Sequence, residues 1–179
     1  MKLLFFMLGK GIYAADVNSI REVVRKAHTT PLPNASRFIT GIMRLRDFTV
    51  TLVDTRFLLK DRGLSDERNV RVLLIDPNLT NRETYGIIVD RIIGIYDVTD
   101  SDIKWAQERK EALIANEYLN GTIFLERLES RKEFQGFTDT HILYLNVTRM
   151  VNDIINWEEG QTEVRFIRLF SPYDIPRVK

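Results

Sequence analysis

The stretch TGIMRLRDFTVTLVDTRFLL, residues 40–59, decides how this chain is read. Ile, Val, Thr and Leu crowd ITGIMRL (39–45) and TVTLVD (49–54). Side chains branched at Cβ keep their preferred rotamers on a pleated surface, so this composition predicts two paired strands separated by Arg46, Asp47 and Phe48. Arg44, Arg46 and Arg56 interrupt that pattern. A guanidinium carries five donors in a rigid fork, and its presence in a β pattern asks for acceptors to be found nearby.

Working outward, LLFFML (3–8) and IYAA (12–15) flank GKG, which predicts a strand, a tight turn and a second strand, because glycine tolerates the positive φ of hairpin turns. The same residues admit a rival. GKGIYA fits GxGxxA after an apolar run, and Val17, Ile20, Val24 and Ala27 recur at helical spacing, as a dinucleotide-binding βα unit requires. Such a unit needs a second strand ending in an acid about 20 residues on. Residues 29–36 instead read TTPLPNAS, with two prolines that no central strand accepts.

Further along, VRVLLID (70–76), ETYGIIVD (83–90) and RIIGIYDV (91–98) read as strands, with KDRGLSDERN (60–69) a charged loop and PNLTNR (77–82) a turn. KWAQERKEALIANEY (104–118) lacks Gly and Pro and is rich in helix formers, so a helix or helical loop is expected there. EYLNGTIFLE and THILYLNV are strand-like, with residues 126–139 as a long hairpin tip between them. Val147, Met150, Val151, Ile154 and Ile155 follow at the spacing of an amphipathic helix whose stripe packs on a core. EVRFIRLF (163–170) adds a possible last strand before a proline-containing tail. Short strands between turn signals argue for a barrel or sandwich.

The totals exclude several classes. Lys plus Arg (26) and Asp plus Glu (25) cancel to +1, so no long-range field draws the chain to nucleic acid or an anionic membrane. With no Cys there is no thiolate nucleophile and no Cys-ligated zinc, and His28 and His141 stand far apart with no His or Cys at ligand spacing. Neither a GxSxG elbow nor a GxxxxGK[ST] loop is present. Asp54, Asp76, Asp90 and Asp97 fall at strand ends, where carboxylates cap turns. The apolar start MKLLFFMLGK is interrupted at Gly9, below the roughly 7 to 15 residues of a secretory core, so the cytoplasm is the expected compartment. No run approaches the ~20 apolar residues of a membrane helix.

Three segments in order, FMLGKGIYAADVNSIREV (6–23), TPLPNASRFITGIMRLRDFTVTLVDTRFLL (30–59) and YGIIVDRIIGIYDVTDSDI (85–103), resemble the CheW family of chemotaxis coupling proteins. Each piece is a short β motif and only the ordered set is specific; with EYLNG and ILYLNVTRMV (117–151) it covers about four fifths of the chain. The resemblance implies a mainly β fold of two intertwined five-stranded SH3-like barrels with short helices over residues 1–155, followed by an extension at 156–179. It implies no catalysis and no cofactor. The partners it implies are the cytoplasmic tip of chemoreceptors and the regulatory domain of a CheA-type histidine kinase, with localisation at receptor arrays through those partners. Ile20, Glu22 and Arg46 fall on the family's receptor-binding positions, with Val70 a further apolar anchor, and Gly41, Asp54, Arg56 and Gly86 are expected to be structural or turn residues. Arg46 and Arg56 would tie turn carbonyls to a carboxylate such as Asp54 or Glu22 where the barrels meet. Arg44 and Asp47 replace the Asn and Gly of the family's N-L-R-G turn, which puts the turn geometry in doubt and adds charge beside the groove. The rival from another class is a nucleotide-binding protein or small β-barrel enzyme built on GKGIYA.

Overall fold

A computed structural model describes residues 1–59, 69–106, 117–124 and 141–158. In chain order the strands are β1 (Lys2–Leu8), β2 (Gly11–Asp16), β3 (Ile20–Arg25), β4 (Thr29–Thr30), β5 (Ile39–Leu45), β6 (Phe48–Val53), β7 (Arg71–Ile75), β8 (Tyr85–Val89), β9 (Arg91–Asp97), β10 (Ile103–Trp105), β11 (Leu119–Phe124) and β12 (His141–Leu145), followed by one helix, α1 (Val147–Glu158). They make two sheets. The first runs β10-β11-β12-β2-β1-β9 and the second β3-β7-β8-β6-β5-β4. The chain starts in the first sheet, builds all of the second, and returns at β9 to finish the first, so the two halves are intertwined. Each sheet counts six strands, the smallest being the two-residue β4 and the three-residue β10. Each has one parallel pair, β12 with β2 and β6 with β8, among antiparallel neighbours.

The apolar runs are continuous rather than alternating because the central strands are buried on both faces. Along β1, Leu3 and Phe5 point into the interior of the first barrel, while Leu4, Phe6 and Leu8 point to a core shared by the two sheets. The same division holds for β7, where Val72 and Leu74 fill the second barrel and Leu73 and Ile75 the shared core. Helix α1 closes the shared core with Val147, Met150, Val151, Ile154 and Ile155, the stripe that the sequence spacing predicts. Asn146 caps it: its Oδ1 accepts from the Arg149 amide at 3.0 Å, and its own amide donates to the Tyr118 carbonyl at 2.7 Å. Asp153 lies on the buried side of that helix. The neighbouring Tyr118 phenol is held far above its ordinary range by burial first and by the Asp153 charge second.

The strand, tight turn and second strand expected around GKG are present and the rival reading fails, while one expectation is corrected. The helical spacing of Val17, Ile20, Val24 and Ala27 does not make a helix: Asp16 caps a 3-10 turn over Val17–Ser19, accepting from the Asn18 amide at 2.8 Å, and the chain then extends as β3. Gly9 and Lys10 form a two-residue hairpin turn, with Gly9 at φ 57°, and Gly11 opens a strand rather than a helix, so no βα phosphate site exists at GKGIYA. The helix expected from residue 104 fails at its start, because Lys104 and Trp105 pair with Thr122 and Gly121 in β10. Residues 107–116, with most of that helix, lie outside the described residues, as do the loop at 60–68, the hairpin tip at 126–139 and residues 159–179. Helix α1 continues past residue 155 to Glu158.

Gly86 shows how tightly the second barrel is filled: a Cβ there would lie 2.3 Å from Val72 Cγ1 and 3.0 Å from Val50 Cγ1. Gly86→Ala is expected to cost about 1–3 kcal/mol through overpacking. Denaturant unfolding checks this, and an unchanged midpoint would contradict the packing described.

Candidate functional site

Where the chain passes between sheets, four residues converge. Asp54 ends β6 and caps the 3-10 turn over Thr55–Phe57, its Oδ1 accepting from the Arg56 amide at 3.0 Å. The Arg56 fork returns to the same carboxylate, with Nε 2.9 Å and 3.1 Å from the two oxygens and Nη2 2.6 Å from Oδ2. Beyond it, Nη1 of Arg56 stands 3.9 Å from Oδ1 of Asp90, the residue between β8 and β9. Asp90 accepts from the Gly9 amide through Oδ2 at 2.5 Å and donates its own amide to the Met7 carbonyl at 2.9 Å. Its Oδ1 is buried and has no hydrogen bond. The Arg56 charge therefore offsets a desolvated carboxylate at the point where the second sheet hands the chain to the first.

Arg46 has a different setting. It occupies the two-residue turn between β5 and β6, where Leu45 pairs with Phe48. The positive φ falls on Arg46 itself, at 53°, rather than on Asp47, where the departure from the family turn placed the doubt. Its Nη2 reaches Glu22 Oε1 on β3 at 3.1 Å, with the arginine side chain 69% exposed. Ile20, two residues before Glu22, is half-buried and packs on the edge of the shared core, next to an irregularity in the β3–β7 register. Ile20 and Glu22 both lie on β3 and Arg46 is tied to that strand through Glu22, but the irregularity sets Ile20 opposite Ile75 of the shared core and Glu22 opposite Leu74 of the second barrel. Val70 does not join them on the surface: it is 5% exposed and belongs to the interior of the second barrel.

Gly41 sits where neighbouring backbone leaves no room and Gly86 where core side chains leave none. Gly41 adopts φ +149°, and a Cβ on it would meet the Thr30 carbonyl oxygen at 2.3 Å. Asp90 and Gly9 are the members of the junction that sequence reading did not assign to it; the strand-end position of Asp90 was the available signal. Among the described residues no group of three or more His, Cys, Asp or Glu side chains is placed to hold a metal ion.

Comparison with known proteins settles what this architecture is. The family model for the CheW-like domain matches residues 2–154, which takes in every strand of both sheets. The chain belongs to the CheW-like domain family. Among its relatives, the chemotaxis protein CheW of Klebsiella aerogenes is 29% identical over 120 residues, 67% of this chain and 70% of that protein. The chemotaxis protein CheW of Thermotoga maritima is 28% identical over 103 residues, 57% of this chain and 65% of that protein, so the chain spans just under two thirds of its length. The scaffolding protein TtCheW of Thermoanaerobacter tengcongensis superposes with a TM-score of 0.64 at 19% identity, covering 82% of this chain and 84% of that one, which shows the shared fold.

The two arginines are expected to behave differently in a CheW-like frame. Arg56→Ala strips two half-buried carboxylates of their cation and is expected to cost about 2–4 kcal/mol. An exposed pair is worth about 0–1 kcal/mol, and a left-handed φ costs a non-glycine residue about 1–2 kcal/mol, so Arg46→Gly is expected to leave stability level or slightly raised. Thermal unfolding of both variants checks the contrast; equal losses would contradict it.

Proposed function

We propose that this protein is a non-catalytic adaptor of chemotaxis-like signal transduction that joins the cytoplasmic tip of a chemoreceptor to the regulatory domain of a CheA-type histidine kinase. The observation that carries this reading is the family match, which runs through both sheets and includes the segments that bear Ile20, Glu22 and Arg46. The geometry supports it in a second way. An exposed arginine held by one carboxylate beside a half-buried isoleucine offers a charged and an apolar contact together, as a groove for a helical segment needs. The adaptor works in the cytoplasm, reaching receptor arrays through its partners, and residues 1–155 form the unit that does so. No helix among the described residues is long and apolar enough to cross a membrane.

Receptor docking uses Ile20, Glu22 and Arg46, while Gly41, Asp54, Arg56 and Gly86 hold the backbone that presents them. Arg46→Glu puts two carboxylates side by side and is expected to weaken capture by a chemoreceptor signalling-tip fragment about tenfold, with the unfolding midpoint kept. Ile20→Asp is expected to act in the same direction. Quantitative pull-down, read beside thermal unfolding, decides between docking and core roles: undiminished capture by both variants would remove this surface from the interface.

A further inference from the structure

Three arginines surround the β5–β6 hairpin, and each is occupied differently. Arg21 lays its guanidinium over the Phe48 ring, 5.5 Å from the centroid. Arg46 is tied to Glu22. Arg44 is exposed and makes no hydrogen bond or ion pair among the described residues. It stands across the hairpin from Thr49 and lines an open cleft of about 520 Å³ with Asp47, Phe48, Thr49, Thr51, Glu83 and Thr84. Asp47 is equally without a partner among the described residues, and the two opposite charges on one cleft do not pair with each other. Glu83, the other carboxylate there, already accepts from the Tyr85 hydroxyl at 3.0 Å.

Charge complementarity narrows what fits. A phosphate dianion or a run of acidic residues would meet the carboxylates of Asp47 and Glu83 as well as Arg44, and like charges brought together oppose binding. A purely apolar segment would cover the hydroxyls of Thr49, Thr51 and Thr84 without offering them partners. What matches is one carboxylate for Arg44 with a cation close by for Asp47. A helix presents such a couple wherever an acid and a base stand three or four residues apart, since side chains at that spacing share a face.

We propose that Arg44 and Asp47 read the surface charge of the docked helix, accepting a partner that carries an acidic and a basic side chain one turn apart and disfavouring partners of a single sign. Arg46 shares the two-residue β5–β6 turn with Asp47, which lines the cleft, so this inference rests on the receptor reading above and assigns its specificity.

The test is calorimetric titration of the full chain with a chemoreceptor signalling-tip fragment at low and high salt. Arg44→Glu is expected to weaken binding about tenfold and Arg44→Gln by less, both with wild-type unfolding midpoints because the side chain is exposed. Reversal of one acidic residue of the fragment to Lys is expected to restore binding to Arg44→Glu and to weaken it to wild type. Wild-type affinity in Arg44→Glu, or failure of every single acid reversal to restore it, overturns the charge-reading role while leaving receptor docking intact if Arg46→Glu still binds weakly. A wild-type chain that does not bind the fragment overturns both.

Discussion

The salt-bridged junction of Asp54, Arg56 and Asp90 with the Gly9 amide is the constraint on which the rest of the molecule depends. Two barrels built from one chain must be fixed relative to each other where the backbone crosses between them, and hydrophobic packing alone is non-directional. Arg56 supplies the direction. Its fork is locked on Asp54 by geometry that only a short capped turn can set, and its far nitrogen faces Asp90, which in turn holds the β1–β2 hairpin through Gly9. Around this polar point lies the shared core of β1, β2, β7, β8, β12 and α1.

That arrangement explains where the residues proposed for docking lie. Ile20 leans on the edge of the shared core, so its position is fixed by the same packing that joins the barrels. Glu22 lies on β3 and Arg46 in the β5–β6 turn of the second sheet, joined by a pair too solvated to add much stability. The chain therefore separates a half-buried arginine that sets structure from an exposed one available to a partner. Arg46 also keeps a left-handed backbone that a glycine would adopt without strain, and a strained surface arginine is better explained by what it contacts than by what it stabilises.

Much of this was legible in the sequence where the interaction is local. Asp54 and Arg56 are two residues apart, and ITGIMRL with TVTLVD form the hairpin that their β-branched residues imply. The stripe of α1 was legible because a single buried face leaves a 3.6-residue period. The Gly9–Asp90 contact, 81 residues apart, exists only because the first sheet is finished after the second, and no local pattern records that. Val70 illustrates a different limit: an apolar residue beside a strand suits a groove and a core equally, and the interior of the second barrel claimed it. At Lys104 and Trp105 strong helix formers downstream suggested a helix, and pairing with β11 overrode propensity.

We propose that one two-barrel body holds both signalling partners at once. Light scattering coupled to size exclusion, on the full chain mixed with a CheA-type regulatory domain and a chemoreceptor signalling-tip fragment, is the decisive measurement. A single species containing all three components, heavier than any pair, is expected. Independent elution of the three, or displacement of one partner by the other, would contradict it.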